Sequence, residues 1–323
     1  RLPLFLTLTL FLLPIFGVAL YVIVGEFKDH GSIVMTSKEM PVHMAVSLVK
    51  EQLDHAVGIG VSLSGRILLQ QTAEEGQWED ALNSVKNAKE KFSYIDDISL
   101  FDPKGILKAT TIADPSIIGK DFSYRDYYRG VSKKWEPYVS EVFKRMAEPK
   151  YSVVVVAIPI SSDTQKILGV LVMSVKADIF SGCVSGVACG SSGSIYIVDQ
   201  NGHLVAHPRI SSESEIVDYS LAPAVQKILK GESGVEVLSD PMESEKQLIA
   251  YAPVPVYGWG VAVLQPESVA FHHRDTEAKK LTIVFMLGVF VIGFSVHRIL
   301  RDRIVMKEQR DREEILLESI GDG

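Results

Sequence analysis

The sequence predicts an α/β chain of the α+β kind. Two tandem domains with antiparallel sheets stack on a long N-terminal helix, and two transmembrane helices flank them. Three observations predict this. Long apolar runs, Leu2 to Val24 and Leu281 to Val296, bracket the chain. Between them the apolar spacing changes from helical to alternating near residue 95. An Asp-x-x-Gly turn, Asp102–Gly105, returns 97 residues later as Asp199–Gly202, each time between two β runs.

The first apolar run holds 23 residues without a charge, enough to cross a bilayer. It is longer than the apolar core of a signal peptide and lacks a small-x-small cleavage site. The second run has 16 residues, with Lys279-Lys280 before it and His297-Arg298 after it. Snorkelling lysines and Ile299-Leu300 extend it to a marginal span; a buried core helix is the competing reading. Arg298, Arg301, Arg303, Lys307, Arg310 and Arg312 crowd the far side of the second run. That side is therefore expected to be cytoplasmic, giving a two-pass protein of the cell membrane with residues 25–280 outside and both termini inside. The expected division is a first span over 1–25, a stalk helix over 26–70, domains over 71–182 and 183–275, a second span over 279–298 and a cytoplasmic helix over 299–323. The chain starts without methionine and stops directly after an amphipathic run, so it is expected to be the front of a longer protein.

Within the outer segment, Val42, Val46, Val49, Leu53 and Val57 recur at helical spacing and predict a helix over 34–66. Trp78, Leu82, Val85 and Ala88 predict another over Gln77 to Phe92. Strands are predicted at Ile95–Phe101, Ile106–Thr111, Tyr151–Ile160 and Ile167–Val175. Around the second turn, at Asp199–Gly202, the order repeats. Strands are expected at Ser194–Val198 and His203–Ala206, then a helix at Ala222–Lys230, then strands at Val235–Leu238, Gln247–Ala252 and Gly258–Leu264. Cys183 and Cys189 lie in the connector, where a disulfide and two free thiols are both open.

The net charge of −7 offers no broad basic surface, so nucleic acid is not an expected partner. No motif supplies catalysis. Gly190-Ser-Ser-Gly193 is not a nucleophile elbow, His272-His273 has no second ligand pair at metal spacing, and no phosphate-binding glycine loop occurs. No catalytic residue, metal or cofactor is therefore expected. The notable stretch is Asp121-Phe-Ser-Tyr-Arg-Asp-Tyr-Tyr-Arg-Gly130, with two arginines among four aromatic side chains. A guanidinium fork matches a carboxylate, and aromatic walls exclude water around it. The alternative is an aromatic-rich helix start with solvated arginines.

The order of membrane helix, long helix, two sheets and membrane helix resembles the double Cache family of receptors, whose domains are PAS-like. Matching passages include Ile98-Ser-Leu-Phe-Asp-Pro-Lys-Gly105, Gly119-Lys-Asp-Phe-Ser-Tyr-Arg-Asp-Tyr-Tyr128, Ile195-Tyr-Ile-Val-Asp-Gln-Asn-Gly202 and Tyr251-Ala-Pro-Val-Pro-Val-Tyr-Gly-Trp-Gly260. The resemblance implies a membrane-distal ligand site in which Arg125, Tyr127 and Tyr128 fall on an Arg-x-Trp-Tyr carboxylate motif. Phe143 stands at a motif tyrosine, and Ser174 at the aspartate that would take a ligand ammonium. A ligand with an anionic end, rather than an α-amino acid, is expected, since a buried ammonium without a carboxylate partner is costly. A homodimer is implied too. Glu313-Glu-Ile-Leu-Leu-Glu-Ser-Ile-Gly-Asp-Gly323 resembles the opening of a cytoplasmic PAS domain. No linker of HAMP length precedes it, which favours a sensor histidine kinase over a chemoreceptor; a cyclic-dinucleotide cyclase or phosphodiesterase is the further alternative. A membrane-anchored hydrolase and a ligand-free scaffold are the competing classes.

Overall fold

The computed structural model describes residues 39–145, 148–190 and 192–321, with residues 17 and 21. The first apolar run and the expected stalk before residue 39 lie otherwise outside the described residues. Residues 35–270 form one compact unit that holds both sheets. The helix that opens it, α1, spans residues 39–64. Its buried face carries Val42, Val49, Leu53, Ala56 and Leu63, the three-to-four spacing that one face of a helix requires. It stops at Ser64-Gly65, and Arg66 is extended before α2 (Ile67–Glu74) begins. The single stalk helix expected to residue 70 is thus broken. The helix expected over Gln77–Phe92 is also split, into α3 (Trp78–Val85) and α4 (Ala88–Lys91). At the split the Ser84 carbonyl accepts from the Arg66 guanidinium, which ties α3 back to the break after α1.

The first sheet contains β1 (Ile95–Phe101), β2 (Leu107–Thr110), β3 (Tyr138–Val139), β4 (Phe143–Lys144), β5 (Ser152–Ser161) and β6 (Ile167–Lys176). Their order is β2-β1-β6-β5-β3, with β4 also on β5, and every ladder is antiparallel. The second sheet, β7 (Ser194–Val198), β8 (Leu204–Ala206), β9 (Gly234–Leu238), β10 (Gln247–Pro253) and β11 (Gly260–Pro266), has order β8-β7-β11-β10-β9. The two orders are the same arrangement, so the repeat of turns is a repeat of sheets.

Each sheet is covered on both faces, which is why its central strands read as unbroken apolar runs. In the first sheet Leu100, Val156, Ile158 and Met173 face α1. A Cβ at Gly60 would stand 2.7 Å from Ile158 Cγ1, so glycine lets α1 lie close to the sheet. The alternate residues Phe101, Val155, Val170 and Val172 face α5 (Asp126–Lys134). In the second sheet Ile197, Val261 and Val263 join the core of α1, and Val198, Ile249 and Leu264 pack against α7 (Pro223–Leu229). Tyr257 also donates to Asp54 of α1 at 2.6 Å, so α1 serves both sheets. The connector contains α6 (Asp178–Val184); no disulfide joins Cys183 and Cys189, whose thiols donate to the Phe180 carbonyl at 3.1 Å and the Val187 carbonyl at 3.2 Å.

After β11 the chain passes through α8 (Glu267–Ala270) into α9, a helix of 50 residues, His272–Gly321. The run 281–296 lies in α9, with the side chains of 281, 284, 291 and 295 outside the described ones. Among the described residues no helix is long and apolar enough to cross a membrane.

Candidate functional site

The stretch after β2 is held down by its neighbours. Phe122 donates its amide to Gly105 at 2.9 Å, and the Asp121 carboxylate accepts from the Ser123 amide at 2.8 Å. Gly105 has φ of +84°, and a Cβ there would meet Ser123 at 2.9 Å, so the Asp-x-x-Gly turn needs glycine twice over. Arg125 is the extended residue before α5. Asp126 then opens the helix, where a carboxylate complements the positive end. The same carboxylate accepts from the Tyr138 hydroxyl at 3.0 and 3.2 Å and from the Glu141 amide at 3.1 Å. Burial first, then the Asp126 charge, push the Tyr138 phenol up to about 12.

This folding makes a cavity of about 260 Å³ between the start of α5 and the first sheet. Arg125, Tyr127, Phe143 and Ser174 share its walls. The Arg125 guanidinium lies 5.9 Å from the centre of the Phe143 ring and 5.4 Å from that of Tyr124. Tyr127 leans on Phe143 at 6.3 Å. Burial raises the Tyr127 phenol far above its ordinary range, with Arg125 opposing, so its hydroxyl stays a neutral donor. Ser174 sits on β6, between Asp97 of β1 and Val155 of β5 in register. Tyr128 is not brought to these walls. It is buried on the same helix, and its hydroxyl donates to the Pro103 carbonyl at 2.6 Å, clamping the hairpin turn.

Four charged residues that the sequence did not single out also line the cavity: Asp97 and Arg145 within it, and Asp114 and Lys120 at its rim. The Arg145 guanidinium donates to Asp97 Oδ2 through Nη2 at 2.8 Å, and its Nε lies 2.6 Å from Asp96 Oδ2. Burial alone would lower this guanidinium; the bond and charge of Asp97, then the charge of Asp96, outweigh it and hold it above its ordinary value. Asp96 and Asp97 reach one guanidinium because the β1–β6 ladder slips between Ile95 and Asp97. Such a bulge turns consecutive side chains toward the same side. Two acids inside an otherwise apolar strand were a visible signal. Their partner, 48 positions away, was not.

The second sheet fills the corresponding face differently. The repeat of 97 carries Asp97 to Ser194, Ser99 to Tyr196, Arg125 to Ala222 and Tyr127 to Ala224. Through the ladder, the place of Ser174 is taken by Leu264 and that of Val155 by Ile249. Tyr196, Ile249 and Leu264 are buried there, packed with α7. The two charges of the first sheet thus give way to Ser194 and Ala222, and the space over Ser99 and Ser174 is taken by the larger Tyr196 and Leu264.

Other hollows lie away from the face of the first sheet that α5 covers. One of about 390 Å³ under the connector offers His207 as its titratable wall besides the Cys189 thiol. A groove of about 690 Å³ along α1 is wide open. Among the described residues no cluster of three His, Cys, Asp or Glu is placed to hold a metal ion.

The segment that carries Phe143 and Arg145 also touches the second sheet. The Val142 amide donates to Asp199 Oδ2 at 3.0 Å, and the Asn201 side chain donates to Glu141 Oε2. Gln200 donates to the Tyr138 hydroxyl at 3.4 Å, and its carbonyl accepts from Trp259 Nε1 at 3.0 Å. Trp259 is fully buried against Phe180 and directly precedes β11.

Comparison with known proteins places this architecture. A family model described as Cache domain matches residues 38–272, from α1 through both sheets. No curated protein matches the chain. The periplasmic sensory domain of the Campylobacter jejuni chemoreceptor Tlp1 aligns with a TM-score of 0.56 at 15% identity, over 75% of this chain and 98% of that one. The ligand-binding domain of the Pseudomonas aeruginosa PAO1 amino acid chemoreceptor PctB, in complex with L-Gln, gives 0.57 at 15% identity, over 77% and 98%. The extracellular domain of rpHK1S-Z16, a predicted histidine kinase, gives 0.54 at 19% identity, over 72% and 96%. At these identities the likeness is one of fold.

Proposed function

The chain belongs to the Cache domain family, and from that premise we propose that it is the ligand-sensing part of a transmembrane receptor. It takes a small organic anion, a carboxylate, in the cavity of the first sheet. The observation that carries this is the meeting of Arg125 with Tyr127, Phe143 and Ser174 on one set of walls, on the sheet face whose repeat is filled with apolar side chains. Arg125 is the carboxylate fork, Tyr127 and Phe143 the walls, and Ser174 a hydroxyl partner; Tyr128 positions the turn beneath. In this reading residues 71–182 are the membrane-distal domain and 183–275 the proximal one, with spans at 1–25 and 279–298 and a homodimer as the working unit.

Binding shifts a receptor only when the ligand prefers one of two conformations. The proposed route runs from Arg125 and Asp126 through Tyr138 to Gln200 and Trp259, then along β11 into α9. The output is proposed to be a histidine kinase, supported by the short stretch between the second apolar run and the Glu313-Glu-Ile-Leu-Leu motif. A chemoreceptor is the second reading, because Tlp1 and PctB share the fold.

Calorimetry on the chain with propionate and butyrate, wild type beside Arg125→Ala, tests the site. Loss of the guanidinium is expected to cost about 2–5 kcal/mol in binding, as removal of one partner of a desolvated charge pair does. Arg125→Lys is expected to weaken binding as well, since the fork is lost. Equal affinity in a folded Arg125→Ala protein removes Arg125 from the site.

A further inference from the structure

We propose that Arg145 is a specificity-determining residue: its guanidinium fills, from within the chain, the place at Asp97 that a ligand ammonium would take. The cavity therefore accepts carboxylates and turns away the same molecules carrying an amino group. This deepens the anion-site reading above and rests on it.

Asp97 is the acidic side chain in the interior wall, beside Ser174, and it is only 2% exposed. Both of its oxygens are occupied. Oδ2 accepts from Arg145 Nη2 at 2.8 Å and Nε at 3.2 Å. Oδ1 accepts from Lys89 Nζ at 3.0 Å and Thr111 Oγ1 at 3.3 Å. Arg145 is held from its other sides too, by Asp96 Oδ2 at 2.6 Å and by the Glu148 carbonyl at 2.9 Å. Removing such a guanidinium from two buried carboxylates is costly, so an arriving ammonium does not displace it. An ammonium left in the cavity would find the Asp97 charge already neutralised by Arg145 and Lys89 and would face the Arg125 guanidinium in a poorly screened space. The rim adds one charge of each sign, Lys120 and Asp114, and Asp114 already accepts from the Ser116 amide. A carboxylate without an amine meets Arg125 and none of these obstacles.

The test uses two pairs of probes that differ by an amino group: propionate with L-alanine, and butyrate with γ-aminobutyrate. Calorimetry on the full chain is expected to show wild type binding each plain acid at least about tenfold more tightly than its amino partner. In Arg145→Gln, Asp97 Oδ2 is released and the preference is expected to fall by about tenfold or more for at least one pair. Asp96→Asn/Arg145→Gln, which takes the guanidinium from one carboxylate rather than two, is the companion if the single variant does not fold. Arg145→Lys keeps the internal cation and is expected to keep the preference. Wild type binding an amino acid as tightly as its plain acid overturns the proposal without any variant. So does an unchanged preference in a folded neutral variant that still binds the plain acids. Failure of wild type to bind any of the four probes overturns the anion-site reading itself, and this inference with it.

Discussion

The slip in the ladder at Asp96 decides what Arg145 does. In a regular strand Asp96 and Asp97 would point to opposite faces. Here both meet one guanidinium, with side-chain exposures of 14% for Arg145 and 8% and 3% for the two acids. Arg145→Ala takes the guanidinium from two buried carboxylates, leaving Asp97 with Lys89 and Asp96 with the Tyr151 hydroxyl, and is expected to cost about 3–5 kcal/mol, read by urea unfolding. Asp96→Asn added to it is expected to recover part of that loss; no recovery would mean that Asp96 contributes nothing to the cluster. His207 yields a pH prediction. Its Nδ1 accepts from the Arg209 amide at 3.1 Å and its ring stacks on Tyr196. Burial lowers the imidazole below its ordinary value, and the Asp240 charge opposes this only in part. The folded protein thus favours neutral His207, and the unfolded chain takes the proton first as pH falls. The contribution is complete above about pH 6.5 and is lost as pH drops through the folded value. Unfolding midpoints are expected to fall more for wild type than for His207→Asn between about pH 7.5 and about pH 5. Equal slopes would show that His207 titrates alike in both states.

At the scale of elements, the two hairpins are built by one device. Asp102 accepts from the amides of Lys104 and Ile106, and Asp199 from those of Asn201 and His203, all within 2.9–3.0 Å. Gly202 repeats the positive φ of Gly105 and its closeness to the next helix, with a built Cβ 2.8 Å from Ser220 Cα. Gly202→Ala is therefore expected to cost about 1–2 kcal/mol from backbone conformation, plus a contact penalty. Gly119 has φ of +80° with open space around it, so Gly119→Ala should show the first term alone. Equal costs in thermal unfolding would mean that Ser220 gives way freely. These hairpins were legible because Asp and Gly at fixed offsets are a local signal. The break of α1 at Gly65 and the split between α3 and α4 were less so. There the apolar stripe runs on through the interruption, and the Arg66 contact to Ser84 ties residues 18 positions apart.

At the scale of the whole molecule, the proposed route crosses from one sheet to the other through Gln200. Gln200→Ala leaves the cavity walls intact and removes the link between Tyr138 and Trp259. Propionate affinity is expected to stay within about twofold, while exchange of the β11 amides no longer responds to propionate. A response unchanged from wild type would move the route elsewhere. The proposed topology has its own test. In a Cys183→Ser/Cys189→Ser background, Asn201→Cys is expected to react with an impermeant thiol reagent in intact cells and Glu308→Cys to be protected. The reverse pattern would invert the orientation.

Local pattern alone determined nine of the eleven strands, the two Asp-x-x-Gly hairpins and their repetition, because period, turn chemistry and glycine placement act between residues close in sequence; the two-residue strands β3 and β4 are too short to carry such a pattern. It also pointed to Arg125, since two arginines among aromatic residues stand out in any chain. Only the tertiary structure decided which side chains share a cavity. Tyr127 and Tyr128 are neighbours in sequence, yet a helical step of about 100° sends one to the cavity wall and the other to Pro103. Asp97, Arg125, Arg145 and Ser174 come from a strand, a helix start, a strand end and another strand, and no local signal relates them. The same holds for what makes the first sheet different from its repeat. That difference lies in whether the space beneath the helix is lined by charge or filled by Tyr196, Ile249 and Leu264, and close packing across a sheet is a property of chains that have already folded.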